Sequence, residues 1–376
     1  MAGIYIHVPF CKTRCIYCDF YTGTDNSKRR QYVDAVVKEL SVRKDYVEGE
    51  PIRTIYFGGG TPSQLYFEEF KRIFDSIYQN YTVESNAEIT FEANPDDLTA
   101  GFFDSIAKLP FNRLSIGIQT FSDPELKFLN RRHSAQAAID AVKLAQSRGF
   151  DNISIDLIYG LPDQTIDVWN RNLDIALSLD IQHVSAYHLI YEERTALYRM
   201  LKKHKVSEVD EELSNDMFSL MIDRLRKGGF EHYEISNFAR DSKYSKHNTS
   251  YWLGEKYLGI GPSAHSFNGK DRAWNVSSLT KYINALDKDK LDVEYEILDL
   301  DKQYNDFILT GLRTKWGVDL KTLESRFGSK MLEYCLRYAK RYLKSECLKE
   351  VDGRLILTDK GVFISDGIMS DLIFVK

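Results

Sequence analysis

The sequence predicts an α/β protein: a parallel sheet curled into a partial (β/α)6 barrel, followed by a smaller, mostly helical C-terminal domain. Three observations predict it. Short β-branched or aromatic runs alternate six times with longer helical patterns in the first 230 residues. Chemically unusual residues gather where those runs end. Beyond about residue 227 the alternation stops and a different pattern begins.

The strand candidates are residues 4–8, 52–57, 88–92, 113–119, 152–158 and 183–188. Helix candidates lie between and after them at 30–46, 65–78, 98–108, 135–148, 166–179 and 211–227. Strands that alternate with helices pair in parallel, because each parallel pairing needs a crossover. Right-handed crossovers curl such a sheet into an open or closed barrel. Barrels of this type carry their chemistry at the C-terminal strand ends. The sequence agrees, with Phe57-Gly58-Gly59-Gly60, Glu92, Gln119 and Asp156 at or near those ends. The barrel is assigned to residues 1–230 and a loop-rich connection to 231–300. A C-terminal helical domain is assigned to 301–376, with a small β-wing near 355–357 and a last helix at 360–372.

The chain has 376 residues, 43% hydrophobic and 28% charged, which is ample for a large core plus a smaller one. A net charge of −5 with both signs interspersed argues against nucleic-acid binding. No apolar stretch approaches the roughly 20 residues that cross a bilayer. The opening MAGIYIHVPFCKTRC lacks a signal-peptide layout, so a soluble cytoplasmic protein is expected. Of five cysteines, three fall within residues 11–18, a poor disulfide framework and a better metal site. Cys335 and Cys347 stand apart and are expected to be small buried hydrophobes.

The three are Cys11, Cys15 and Cys18, spaced C-x3-C-x2-C on a segment that leaves the first strand. Three thiolates hold three irons of a 4Fe–4S cubane and leave the fourth iron open to another ligand. The alternative is zinc with His7 as fourth ligand. With Tyr17 before the last cysteine, the segment resembles the signature of radical SAM proteins, which bind S-adenosylmethionine (SAM) at such a cluster. The resemblance extends along the whole chain to the oxygen-independent coproporphyrinogen III oxidase family. It is nearest to that family's heme-chaperone branch, HemW.

Consecutive glycines let backbone approach a ligand closely. The resemblance assigns Gly59, Gly60 and Thr61, in Gly58-Gly59-Gly60-Thr61-Pro62, to SAM. SAM carries a carboxylate, an ammonium, a ribose diol and a sulfonium, and so needs cationic, anionic and amide partners. The family pattern maps these onto Glu92, Gln119, Arg131 and Asp156, with Tyr5, Tyr17 and Ile158 as further contacts. The implied chemistry is electron transfer into SAM, with cleavage of a carbon–sulfur bond to give methionine and a 5′-deoxyadenosyl radical.

Two readings remain within the family. The oxidases have a fourth cysteine two residues after the third, where this chain has Phe20, and a longer segment before the cluster. This chain also has His247-Asn248-Thr249-Ser250-Tyr251-Trp252, the H-N-x-x-Y-W motif of the heme-chaperone branch. Imidazole is a good axial ligand for heme iron and large aromatics cover a porphyrin face. His247 is therefore expected to bind heme, with His265 a weaker candidate. No residue is assigned to catalysis. The C-terminal domain resembles the family's winged-helix-like module, and packing over the barrel is expected of it rather than DNA binding. As a chaperone, the resemblance implies heme or a porphyrin as cargo and delivery to a recipient respiratory hemoprotein. It also implies a reductant for the cluster and transient contact with a membrane protein. The alternative is an oxidase of porphyrin biosynthesis acting on coproporphyrinogen III.

Overall fold

The computed structural model describes residues 2–375. Six parallel strands form the barrel: β1 (Ala2–Val8), β2 (Ile52–Gly59), β3 (Val83–Ala93), β4 (Arg113–Gln119), β5 (Ile153–Tyr159) and β6 (His183–His188). Side chains of a strand alternate between two faces. Here the alternation separates chemistry as well as direction. Ile4, Ile6 and Val8, Ile55 and Phe57, Ile89 and Phe91, and Leu114 and Ile116 are fully or nearly fully buried in one apolar layer. That layer packs against helices such as Arg29–Val42, through Val33, Val36 and Leu40, and Phe67–Asn80, through Phe70, Ile73 and Ile77. The intervening residues Tyr5, His7, Tyr56, Glu88, Glu92, Arg113, Asp156 and His183 belong to the other face. The barrel interior is therefore polar.

Helix starts follow capping chemistry. Ser134, Thr165 and Asp210 each accept a hydrogen bond from the backbone N–H three residues on, satisfying donors that the first turn leaves free.

Residues 231–300, expected to be loop-rich after a strand at 230–236, extend the sheet on both sides. Strands β7 (Glu231–Glu234) and β8 (Asn237–Ala239) add antiparallel pairing beyond β6. Strand β9 (Lys256–Ile260) pairs in parallel with β1, and β10 (His265–Phe267), β11 (Asp271–Asn275) and β12 (Val293–Ile297) continue outward. Strands β8 to β12 have five residues or fewer, too short for an alternation to stand out in sequence. The result is a twelve-stranded sheet.

The C-terminal domain has its own core around Tyr304, Ile308, Leu312, Leu323 and Cys335. Helices Leu300–Leu312, Leu320–Phe327, Ser329–Lys344 and Ser365–Leu372 pack with a three-stranded antiparallel wing. Cys335 and Cys347 are buried in it as expected. Among the described residues no helix is long and apolar enough to cross a membrane.

Candidate functional site

The C-terminal ends of β1 to β6 surround a cavity of about 570 Å³. The segment leaving β1 carries Cys11, Cys15, Tyr17 and Cys18 into its wall. The end of β2 adds Gly59, Gly60 and Thr61, the end of β3 adds Glu92, and β4 adds Gln119. The segment after the short helix Asp123–Phe128 brings Arg131, and β5 brings Asp156 and Ile158. These residues are scattered over more than 140 positions of sequence and meet at one end of the barrel.

Backbone geometry explains two of the placements. Gly59 has φ +102°, and a Cβ there would stand 2.5 Å from the His7 ring. A Cβ on Gly60 would stand 2.7 Å from the Val8 carbonyl oxygen, whereas the Gly60 N–H donates to that oxygen at 2.8 Å. Glycine thus lets the end of β2 lie against the root of the cysteine loop. In β4 the register slips between Gly117 and Gln119, and Gln119 has φ +73°. This bulge re-aims its side chain at the strand end.

The polar groups are held by one another. Arg131 donates to the Cys15 sulfur at 3.3 Å and to Asn94 Oδ1 at 2.5 Å, and also reaches the Gly117 carbonyl. Asn94 in turn donates to Thr61 Oγ1 at 3.2 Å, and Thr61 Oγ1 lies 3.5 Å from the Cys11 sulfur. Glu92 accepts from the Tyr56 hydroxyl at 2.8 Å and from the Gly59 N–H at 3.3 Å. Ser115 donates to Asp156 at 3.4 Å.

Burial raises the Glu92 carboxyl to about 7, with the neighbouring Asp156 pushing the same way. Burial likewise raises Asp156 to about 6, against hydrogen bonds from Ser185 and Ser115. Two carboxyls held near neutrality in a cavity are poised to ionise toward an incoming cation. Burial lifts Cys11 and carries Cys18 to about 11, so the protein alone keeps both as thiols and a metal would displace their protons.

Each cysteine of a cubane binds a different iron, so the three sulfurs need not converge on one point. Their shared wall, with Arg131 and Thr61 against two of the sulfurs, fits that group. The alternative zinc site needs His7, and His7 is otherwise engaged. Its Nε2 donates to the Tyr21 carbonyl at 2.9 Å and its Nδ1 pairs with the Tyr5 hydroxyl at 3.2 Å.

Residues 5–174 match the radical SAM superfamily, and residues 298–364 match the HemN C-terminal domain. The heme chaperone HemW of Lactococcus lactis is 33% identical over 97% of this chain and 95% of its own. The chain belongs to the HemW family of radical SAM proteins. The heme chaperone HemW of Bacillus subtilis is 35% identical over 87% of each chain. That of Mycobacterium tuberculosis is 33% identical over 99% of this chain and 94% of its own. The solved structure of coproporphyrinogen III oxidase (HemN) from Escherichia coli aligns with a TM-score of 0.86 over 99% of this chain and 90% of that one. At 23% identity that likeness establishes the fold.

Two expected HemW site residues lie elsewhere. Tyr5 sits deeper in the barrel, its ring stacked at 6.2 Å on both Tyr56 and His247. His247 is not on a loop at the cavity. It lies on the helix Lys246–Trp252, packed beside the N-terminal ends of β1 and β2, at the opposite end of the barrel. It is 1% exposed. One ring nitrogen bonds Thr54 Oγ1 and the other bonds the Tyr251 hydroxyl, each at 2.7 Å. Helical spacing puts residues 247 and 251 on one face, which explains that second bond. In this arrangement both ring nitrogens of His247 are hydrogen-bonded and the ring lies away from the cavity wall. Nor does Trp252 cover a cavity wall; it lies 5.0 Å under the Arg313 guanidinium of the C-terminal domain. His265 stacks on Trp274 in the antiparallel extension, away from the cavity wall.

Sequence reasoning missed Asn94 and Tyr56, which position Arg131, Thr61 and Glu92. Strand alternation was the available signal for Tyr56, which shares the inward face with Thr54. For Asn94 the only signal was its place two residues after Glu92, just past a strand end.

Proposed function

We propose that this chain is a heme chaperone that carries a 4Fe–4S cluster on Cys11, Cys15 and Cys18, binds SAM beside it, and delivers heme to respiratory hemoproteins. The observation that carries the proposal is the meeting of the three cysteines with the glycine turn, Glu92, Arg131 and Asp156 around one cavity, in a chain similar to HemW chaperones along nearly its full length. The chain's own residues have separable tasks. The thiolates are the iron donors. Glu92 and Asp156 offer negative charge to the SAM ammonium and ribose, while Arg131 balances charge at Cys15 and braces Asn94. The enclosing strands limit water. The cluster, when bound, supplies an electron to the sulfonium. A reducing, cytoplasmic compartment suits free thiols, and a cellular reductant would feed the cluster.

Against the oxidase reading stands Phe20, 66% exposed, at the position where the family resemblance puts the oxidases' fourth cysteine. The test is to load anaerobically reconstituted protein with heme and mix it with an apo-hemoprotein. Transfer of the heme spectrum, without turnover of coproporphyrinogen III, is the expected result. Turnover without heme binding would replace the proposal with the oxidase.

A further inference from the structure

We propose that Asp97 is a positioning residue for the cluster and SAM: through Lys12 it locks the cysteine loop to the strand ends that form the cavity. This rests on the cluster-and-SAM part of the reading above and deepens it.

Asp97 lies on the short turn Pro95–Asp97 that follows β3. Proline after Asn94 holds that residue extended, at φ −87° and ψ 147°, and its own fixed φ suits the first position of a tight turn. The Asp97 N–H closes the turn on the Asn94 carbonyl at 3.0 Å. Both side chains therefore leave one closed turn, three residues apart.

Asn94 serves the cavity wall, where it joins Arg131 to Thr61. Asp97 repeats that connection one layer behind the wall, using sequence neighbours of the same groups. Its Oδ2 accepts from Ser63 Oγ at 3.0 Å and Gln64 Nε2 at 2.9 Å, just past Thr61. Its Oδ1 accepts from Arg132 at 3.4 Å, next to Arg131, and from the Lys12 ammonium, next to Cys11. Asp97 does not itself border the cavity, so it acts through residues beside those that do.

The Asp97 side chain is 2% exposed, and a carboxylate buried to that degree needs charged donors. Arg132 has a second carboxylate, Asp96 at 2.5 Å, whereas Lys12 pairs with Asp97 alone among the described residues. With Lys12 itself 45% exposed, the pair adds little stability. What it fixes is place. The loop has a backbone anchor at Cys11, whose N–H donates to the Gly23 carbonyl at 2.9 Å. It is anchored again at Arg14, whose carbonyl accepts from Asn130 at 2.8 Å, and at Ile16, whose N–H donates to the Leu129 carbonyl at 3.3 Å. The Lys12–Asp97 pair is the tether between these anchors. Metal ligands must be held within about 0.5 Å of their working geometry, and the residues behind them do the holding.

The experiment reconstitutes full-length protein anaerobically with iron and sulfide. It follows iron loss to a chelator, the EPR shift of the reduced cluster on adding SAM, and thermal melts of the cluster-free protein. Asp97→Asn keeps the shape and removes the charge. It should lose iron about 10–100-fold faster and bind SAM about 10–100-fold more weakly. Lys12→Met should move both in the same direction by a smaller factor and leave the melt unchanged. Lys12→Arg, which can still reach Asp97, should restore both, a rescue that a merely structural role does not predict. Lys71→Met breaks an exposed pair with Asp75 on the helix Phe67–Asn80 and, as the control, should match wild type. Lys12→Met protein with wild-type iron retention and SAM response overturns the tether. Asp97→Asn effects confined to the melt overturn the positioning role and leave the cluster reading standing. Wild-type protein that holds no cluster overturns both.

Discussion

Arg131 stands with Nη1 of its guanidinium 3.3 Å from the Cys15 sulfur and Nη2 2.5 Å from the Asn94 side-chain oxygen Oδ1. A single side chain thus ties the cluster loop to the end of β3. It is half-buried beside a group that becomes anionic on binding iron, so its charge is only partly screened by water.

Arg131→Ala should therefore weaken SAM binding by about 1.5–3 kcal/mol, the worth of hydrogen bonds to charged groups. Arg131→Lys should recover only part of this, because an ammonium cannot span both partners. SAM titration of cluster-loaded protein checks it. Equal affinity in wild type and the alanine variant would remove Arg131 from the SAM site.

Glu92 makes SAM binding depend on pH. With its carboxyl raised to about 7, the free protein is largely protonated there below that pH. An ammonium favours the ionised form, so binding below pH 7 must release a proton. Affinity should rise from pH 6 to pH 8. Glu92→Gln should flatten the profile and weaken binding at pH 8. Tyr56→Phe removes the 2.8 Å hydrogen bond that stabilises the carboxylate and should shift the profile upward. A flat wild-type profile would contradict this role.

His247 should behave as a structural residue of the barrel. Its removal leaves Thr54 and Tyr251 without their 2.7 Å partners and opens a void, so His247→Ala should cost about 2–5 kcal/mol of stability. Burial lowers His247 to about 3 and His7 and His133 to about 4. For each, the unfolded chain binds the proton first, near 6.5. Their stabilisation is full above 6.5 and is lost as pH falls toward 4. Glu92 and Asp156, raised rather than lowered, act oppositely: stability is lost as pH rises through about 4 to 7. The acid-limb slope in denaturant melts should shrink in the His247 variant. A variant as stable as wild type would contradict this structural role.

Two arginines join the barrel to the C-terminal domain, and they should differ in worth. Arg226 pairs with Asp359 through two hydrogen bonds on the surface, at 2.6 and 2.7 Å, where screening leaves about 0–1 kcal/mol. Arg313 lies over Trp252 and 3.4 Å from Glu234, whose side chain is almost wholly buried. Arg313→Ala leaves that carboxylate poorly compensated and should cost more than Arg226→Ala. Thermal melts of the two variants decide the order.

The barrel was legible in the sequence because its strands are long enough to alternate and its helices long enough to show a period. All six strand candidates and the helices between them fall on observed elements. A strand at residues 230–236 was also legible and covers β7, but β8 to β12 were not, since runs of three to five residues carry too little pattern. Most of the cavity wall was readable because each residue sits at a strand end, where topology alone brings it to one place. The H-N-x-x-Y-W segment lies on a packed helix and not on the expected loop, for a physical reason. A histidine and two aromatics suit a heme pocket and a packed helix equally, and only burial distinguishes them.

The central claim is that the strand ends hold a cluster and SAM together. The most direct measurement is EPR of the anaerobically reconstituted, reduced protein with and without SAM, alongside iron analysis. The account expects about four irons per chain, their loss in Cys15→Ser, and a spectrum that shifts when SAM binds the open iron. One zinc per chain with no iron retained, or a cluster spectrum unmoved by saturating SAM, would contradict it.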